Sequence, residues 1–154
     1  MTPAETLLQR LSDLPPGPGP HALTTAGGAT VTLDAERFDT IAGVYRGVTV
    51  NGPPVESVGV WADGVAGRVR GLLEGLKVIE VDATRDAAVL RSSEPAVSGP
   101  SGGVRRYYEV QLGGDGTASV HRYQADRDAG TPREAIGFAL THEVTARLVE
   151  DILG

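Results

Sequence analysis

Leu7, Leu8, Leu11 and Leu14 recur every three or four residues at the start of the chain, the spacing of one apolar helix face. In front of them Thr2-Pro3-Ala4-Glu5 predicts a capping box, with Thr2 as N-cap, Pro3 in the first helical position and Glu5 reaching back. Pro15-Pro16-Gly17-Pro18-Gly19-Pro20 then stops the helix. Four prolines in six residues neither propagate a helix nor fill a central strand, so residues 15–20 read as a semi-extended linker. The helix over residues 1–14 is thereby tethered to a main body over 21–154, free to pack there loosely or on another subunit.

Residues 22–33 predict a weak hairpin turning at Ala26-Gly27-Gly28, with Thr30–Leu33 as its better strand. Asp34 is placed to cap a short helix whose Phe38, Ile41, Ala42 and Tyr45 share a face, and Gly47–Gly52 reads as a break with room for a short strand. Pro53 and Pro54 suit the first turn of a longer helix. Val58, Trp61, Val65, Val69, Leu72 and Leu76 step along one side of it, with Glu56, Asp63, Arg70 and Glu74 opposite.

From Lys77 the period changes from 3.6 to 2. Lys77–Ala83 and Ala87–Ser92 predict a hairpin around Thr84-Arg85, with Val81 facing Ala88 and Ile79 facing Leu90. Ser93–Gly103 reads as a loop. Arg105–Leu112 and Thr117–Gln124 form a second hairpin around Gly113–Gly116, in a register that sets Tyr108 opposite His121 and Arg106 opposite Tyr123. Ile79, Val81, Leu90, Tyr108, Val110 and Leu112 are the expected core side. Ala125–Thr131 is a second polar loop. Ile136, Phe138 and Leu140 alternate along a last strand. Thr141 caps a closing helix with Val144, Leu148, Val149 and Ile152 on its apolar face. The expected fold is a single α+β domain over 1–154: a mostly antiparallel meander of about five strands plus the weak N-terminal hairpin, about four helices on its face, and a helix at the C-terminus.

Composition changes this picture by exclusion. A chain of 154 residues buries enough surface to fold without staples, and its lack of cysteine removes disulfides, thiolate nucleophiles and zinc–thiolate sites. Twenty carboxylates stand against 14 basic residues, and both halves are acidic: 6 bases and 8 acids over 1–77, 8 and 12 over 78–154. Nucleic acid and anionic membranes, which need dense positive charge, are poor partners for such a chain. No window is apolar enough to span a bilayer and Met1–Leu14 is not built like a signal peptide, so the expected location is the cytoplasm. Thirteen arginines against the single Lys77 match the usage of a GC-rich, bacterial-type genome.

Motif-like strings fail on context. Gly99-Pro100-Ser101-Gly102-Gly103 matches G-x-S-x-G, but a nucleophile elbow needs a strand before the serine and a helix after it. His142-Glu143 starts like a zincin helix, yet position 146 is alanine; His21, His121 and His142 have no metal-ligand spacing. No catalytic, metal or cofactor residue is therefore assigned.

Two surfaces remain. Arg105, Arg106, Tyr107 and Tyr108, with His121, Arg122 and Tyr123 across the ladder, are residue types suited to an anionic ligand or an acidic protein segment, although alternation divides them between the two sheet faces. Beside Trp61 runs a stripe of Gly64, Gly71 and Gly75, which permits close helix packing within the chain or at a dimer face. The leading functional expectation is a non-enzymatic, self-associating protein-interaction module such as an assembly factor, small chaperone or adaptor. An acidic inhibitor of a basic partner, and a ligand binder or enzyme using the Tyr/Arg/His hairpin, are the alternatives.

Overall fold

The structure, a computed structural model, describes residues 1–72, 74–92, 103–126 and 132–154. Within them an open antiparallel sheet of nine strands carries three helices, the last at the C-terminal end. The strands are β1 (Gly19–Thr24), β2 (Thr30–Phe38), β3 (Ala42–Asn51), β4 (Leu76–Asp82), β5 (Ala87–Ser92), β6 (Val104–Gly113), β7 (Thr117–Asp126), β8 (Glu134–Ile136) and β9 (Phe138–Thr141). The helices are α1 (Pro3–Ser12), α2 (Val58–Arg68) and α3 (His142–Leu153).

The sheet runs β1-β2-β3-β7-β6-β5-β4 and splits at its middle. β3 meets β7 only through Val48–Asn51 against Thr117–Val120. Beyond that the two diverge: β9 takes the Ala42–Tyr45 half of β3, and β8 takes Arg122–Gln124 of β7. Leu33, Tyr45, Val48, Val50, Leu90, Val110 and Val120 are fully buried on one face, in one apolar cluster with Val65 of α2 and Leu148, Val149 and Ile152 of α3.

Both outer helices start as their sequences dictate. Thr2 and Glu5 close the capping box on α1, and the Thr141 hydroxyl accepts from Val144 N at 3.2 Å on α3. α1 is not loosely tethered. Leu7 and Leu11 are buried as it packs against α3, and Arg10 reaches back to the Thr24 carbonyl.

The expected helix after Asp34 does not form; those residues belong to β2 and β3. Asp39 makes the turn between them, its Oδ1 accepting from Ile41 N at 2.7 Å and Ala42 N at 2.9 Å, and Ile41 stands exposed at the tip. Register shifts at Asp34/Ala35 and Ala35/Arg37 break the strict alternation that would have marked a strand. Gly47–Gly52, read as a break, is the second half of β3.

The long helix is shorter at both ends. Pro53 and Pro54, expected in its first turn, precede it; Ser57 is the N-cap, accepting from Val60 N, and the helix stops at Arg68 with Val69 extended (ψ 117°). Val69, Leu72 and Leu76 are buried all the same, from non-helical backbone. Gly67, Gly71 and Gly75 lower helix propensity by about 1 kcal/mol each, which permits that early exit.

In the β4/β5 hairpin Val81 faces Ala88 as expected, but a bulge at Ile79 sets Val78, not Ile79, opposite Leu90. Ile79 and Val81, expected in the core, are 53% and 47% exposed; Leu90, Tyr108, Val110 and Leu112 are buried. The β6/β7 register differs by one: Tyr108 faces Arg122, Arg106 faces Gln124, Tyr107 faces Tyr123 and Glu109 faces His121. Gly116, at φ +94°, closes a three-residue loop in which its N–H reaches Gly113 O at 3.0 Å, one residue fewer than the symmetric turn assumed. Ala125 and Asp126, assigned to a loop, extend β7. The G-x-S-x-G string, most of the Ser93–Gly103 loop and residues 127–131 lie outside the described residues.

Candidate functional site

Register and alternation together divide the Tyr/Arg/His patch. Arg105, Tyr107, His121 and Tyr123 lie on the face turned away from the helices, whereas Arg106, Tyr108 and Arg122 lie on the helix-bearing face. Each half closes around its own carboxylate.

On the first face Glu109 is 3% exposed. Arg133 grips it with Nη1 to Oε1 at 2.8 Å and Nη2 to Oε2 at 3.0 Å, Arg91 adds a bond at 2.9 Å, and Gln111 donates at 3.2 Å. Tyrosine rings roof the cluster. Tyr107 and Tyr123 face each other with centroids 6.0 Å apart, the Arg133 guanidinium lies 3.8 Å from the Tyr123 centroid, and Arg91 and Arg105 lie 4.8 and 5.5 Å from that of Tyr107. Burial alone pushes the Glu109 carboxyl up, but the hydrogen bonds from Arg133, Arg91 and Gln111 outweigh it and hold it down at about 2.

On the second face Arg122 bridges to Glu74 at 3.0 Å and lies 4.3 Å from the Tyr108 centroid. Ser92 Oγ accepts from Tyr108 N at 2.8 Å and donates to Glu74 Oε1 at 3.2 Å. Tyr108 meets Phe138 edge-on at 5.5 Å, and burial raises its phenol. Arg106 is taken up by Gln124 at 2.9 Å. Arg91, Arg122 and Arg133 thus serve two internal carboxylates. Arg133, Arg91, Glu109 and Glu74 were not singled out from the sequence. Their roles depend on a register one residue away from the symmetric one, and on contacts between residues far apart in the chain.

The glycine stripe does not run along one helix. Gly64 lies in α2, but Gly71 and Gly75 lie beyond its end. A side chain at Gly64 would collide with the Arg68 guanidinium, and that arginine crosses to α3 to donate to Asp151 O at 2.7 Å. Trp61 Nε1 donates to Ile152 O at 2.8 Å. The two α2 side chains therefore satisfy carbonyls at the C-terminal end of α3, groups that have no partner within their own helix. Gly71 has Val144 beside it, and the space at Gly75 is open.

Sequence reading missed a third feature. Where residues 52–57 pass the start of α2 and the end of α3, a groove of about 430 Å³ is walled by Pro53, Pro54, Val55, Val60, Trp61 and Leu153. Among the described residues Glu56 is the one ionised side chain lining it. Val60 is 71% exposed, and the loop forming one wall is pinned by Gly52 N to Gly116 O at 2.9 Å and Val55 N to Gly114 O at 3.0 Å. The available signal was Val60, an apolar residue beside Trp61 that falls off the Val58–Trp61–Val65 stripe.

Among the described residues no cluster of His, Asp or Glu is arranged to hold a metal ion, and no helix is long and apolar enough to cross a membrane. Comparison with known protein families, with curated proteins and with solved structures gives no match for this chain.

Proposed function

We propose that this chain is a non-enzymatic protein-interaction module whose contact surface is the groove beside Trp61. The observation that carries the reading is the groove's composition: six apolar walls, Val60 among them at 71% exposure, and among the described residues a single carboxylate at Glu56. Exposed apolar surface of this kind, next to a tryptophan held in place by its indole hydrogen bond, is where contact with another protein gains most. Its one charge selects for sign. The partner segment is apolar and basic, in keeping with the chain's formal charge of −6.

Trp61 is the sole tryptophan, so its fluorescence reads the groove directly. Titration with an amphipathic Leu/Lys peptide is expected to give a saturable blue shift, weakened by Val60→Asp and absent with a Leu/Glu peptide of equal length. No shift, or equal shifts with both peptides, would overturn the reading.

A further inference from the structure

Strand β4 ends the sheet: β5 pairs with one of its edges, and among the described residues no strand pairs with the other. A free edge is a row of unpaired N–H and C=O groups, a template for another strand. Two of the five large apolar side chains exposed in the described structure, Ile79 and Val81, belong to this strand. Val81 lies against α2, 3.6 Å from where a Cβ on Gly59 would stand. The neighbouring face is therefore apolar as well as unpaired.

From this edge we infer that the partner of β4 is β4 of a second copy, paired antiparallel about a twofold axis between Ile79 and Glu80. The argument is charge complementarity. The strand reads Leu76-Lys77-Val78-Ile79-Glu80-Val81-Asp82. In that register Val78 of each copy faces Val81 of the other, Ile79 faces Glu80, and Lys77 faces Asp82, whose carboxylate also accepts from Thr84 N and Arg85 N of its own turn, each pair occurring twice. The faces also agree. Lys77 and Asp82 stand opposite Arg91 and Ala87, on the side away from the helices, while Val78 and Val81 stand opposite the buried Leu90 and Ala88, on the helix side. The bulge at Ile79 separates two stretches that carry the same order of faces in reverse, so reversing the strand keeps Val78 and Val81 on the helix side and Lys77 and Asp82 on the other, with Ile79 against Glu80 at the axis. Lys77 is the chain's only lysine, and it stands where a cation meets the partner's carboxylate.

Charges on an edge strand usually keep other strands away. Here the same charges reject most partners but fit a reversed copy, because opposite charges directly across a ladder stabilise it and like charges destabilise it. The twofold pairing joins two nine-stranded sheets and covers Ile79 and Val81, which stand 53% and 47% exposed in the single chain. This surface is separate from the Trp61 groove, and the proposal does not rest on what fills that groove.

The test is sedimentation of the full chain across a concentration series, with circular dichroism to verify folding of each variant. The wild type is expected to dimerise reversibly. Lys77→Glu, which sets a carboxylate against Asp82, is expected to weaken the dimer about tenfold or more. Because the chain has no cysteine, register can be read by disulfide trapping. A mixture of Val78→Cys and Val81→Cys chains is expected to cross-link under mild oxidation, while neither variant alone does. A wild type that stays monomeric throughout overturns the inference. So does a dimer indifferent to Lys77→Glu, or one in which the mixed cysteines fail to link. A Lys77→Glu monomer that still gives the Trp61 shift with the Leu/Lys peptide separates the two surfaces.

Discussion

Arg133 meets Glu109 as a two-pronged clamp, both terminal nitrogens bonded to the carboxylate, Nη1 to Oε1 at 2.8 Å and Nη2 to Oε2 at 3.0 Å. Arg133 comes from the segment leading into β8 and Glu109 from β6, so the clamp ties the short strand to the long ladder. It also makes stability depend on acid. The Glu109 carboxyl is held at about 2 in the fold against an ordinary value of 4.5. A depressed carboxyl contributes stability that is present above the unfolded value and is lost as pH falls through the folded one. The window is therefore pH 4.5 down to about 2, with about 3 kcal/mol at stake.

Glu109→Gln removes that charge while leaving Arg91 and Arg133 against it. Denaturant unfolding at pH 7 is expected to show a loss of about 3 kcal/mol. The variant should also lose much of the wild type's pH dependence between 4.5 and 2. An unchanged acid profile would mean that another carboxyl carries it.

Glu150 in the last turns of α3 behaves in the opposite sense. Burial first, and Asp151 second, raise its carboxyl, and its Oε1 is buried without a partner. Its negative charge also lies toward the negative end of the helix dipole, where the last turn has no basic residue. A raised carboxyl costs stability above its folded value, and the cost disappears below the unfolded one. Glu150→Gln is accordingly expected to raise the melting temperature at pH 7 and to make no difference at pH 3.

How much of this was legible varies with what each element depends on. The capping box at Thr2 and Glu5, the Thr141 cap and the alternating Phe138 and Leu140 are local, and the structure has them where the pattern put them. The helix expected after Asp34 failed because its stripe of Phe38, Ile41, Ala42 and Tyr45 runs across the Asp39 turn from β2 into β3, while the bulges in β2 break the alternation that would have marked a strand. The helix end at Arg68 was hidden because Val69 and Leu72 stay apolar and buried without being helical. A one-residue difference in a glycine turn moved the whole β6/β7 register. Alternation alone implied that the Tyr/Arg/His patch is split between faces, but the symmetric register put His121 and Tyr123 with Arg106 and Tyr108, whereas they share a face with Arg105 and Tyr107, and the carboxylates that organise each half are tertiary.

Ile79 gives the sharpest contrast between pattern and packing. Alternation assigned it to the core beside Leu90, yet the bulge turns it out to 53% exposure while Leu90 is fully buried. At concentrations low enough to keep the chain monomeric, Ile79→Thr is expected to change stability by no more than about 0.5 kcal/mol. Leu90→Ala, which opens a cavity among Val110, Ala88 and the helices, is expected to cost about 2–5 kcal/mol. Chemical denaturation of the two variants side by side decides it; comparable losses would place Ile79 in the core after all.

Gly116 links the β6/β7 turn to the wall of the Trp61 groove. Its φ of +94° is a conformation that side chains rarely adopt, and an added Cβ would run into the backbone carbonyls of Gly52 and Pro53. Backbone cannot swing aside as a flexible side chain can. Gly116→Ala therefore has two costs, one in the turn and one in the displacement of residues 52–53, and a loss of about 3 kcal/mol or more is expected. The displaced segment carries Pro53, so the damage should extend beyond the hairpin. Trp61 emission in the folded variant is expected to shift, and affinity for the Leu/Lys peptide to fall with it. Gly75→Ala, with open space around the added methyl, is the control and should leave emission unchanged. If Gly116→Ala lowers stability but leaves Trp61 emission and peptide affinity untouched, the turn does not support the groove wall.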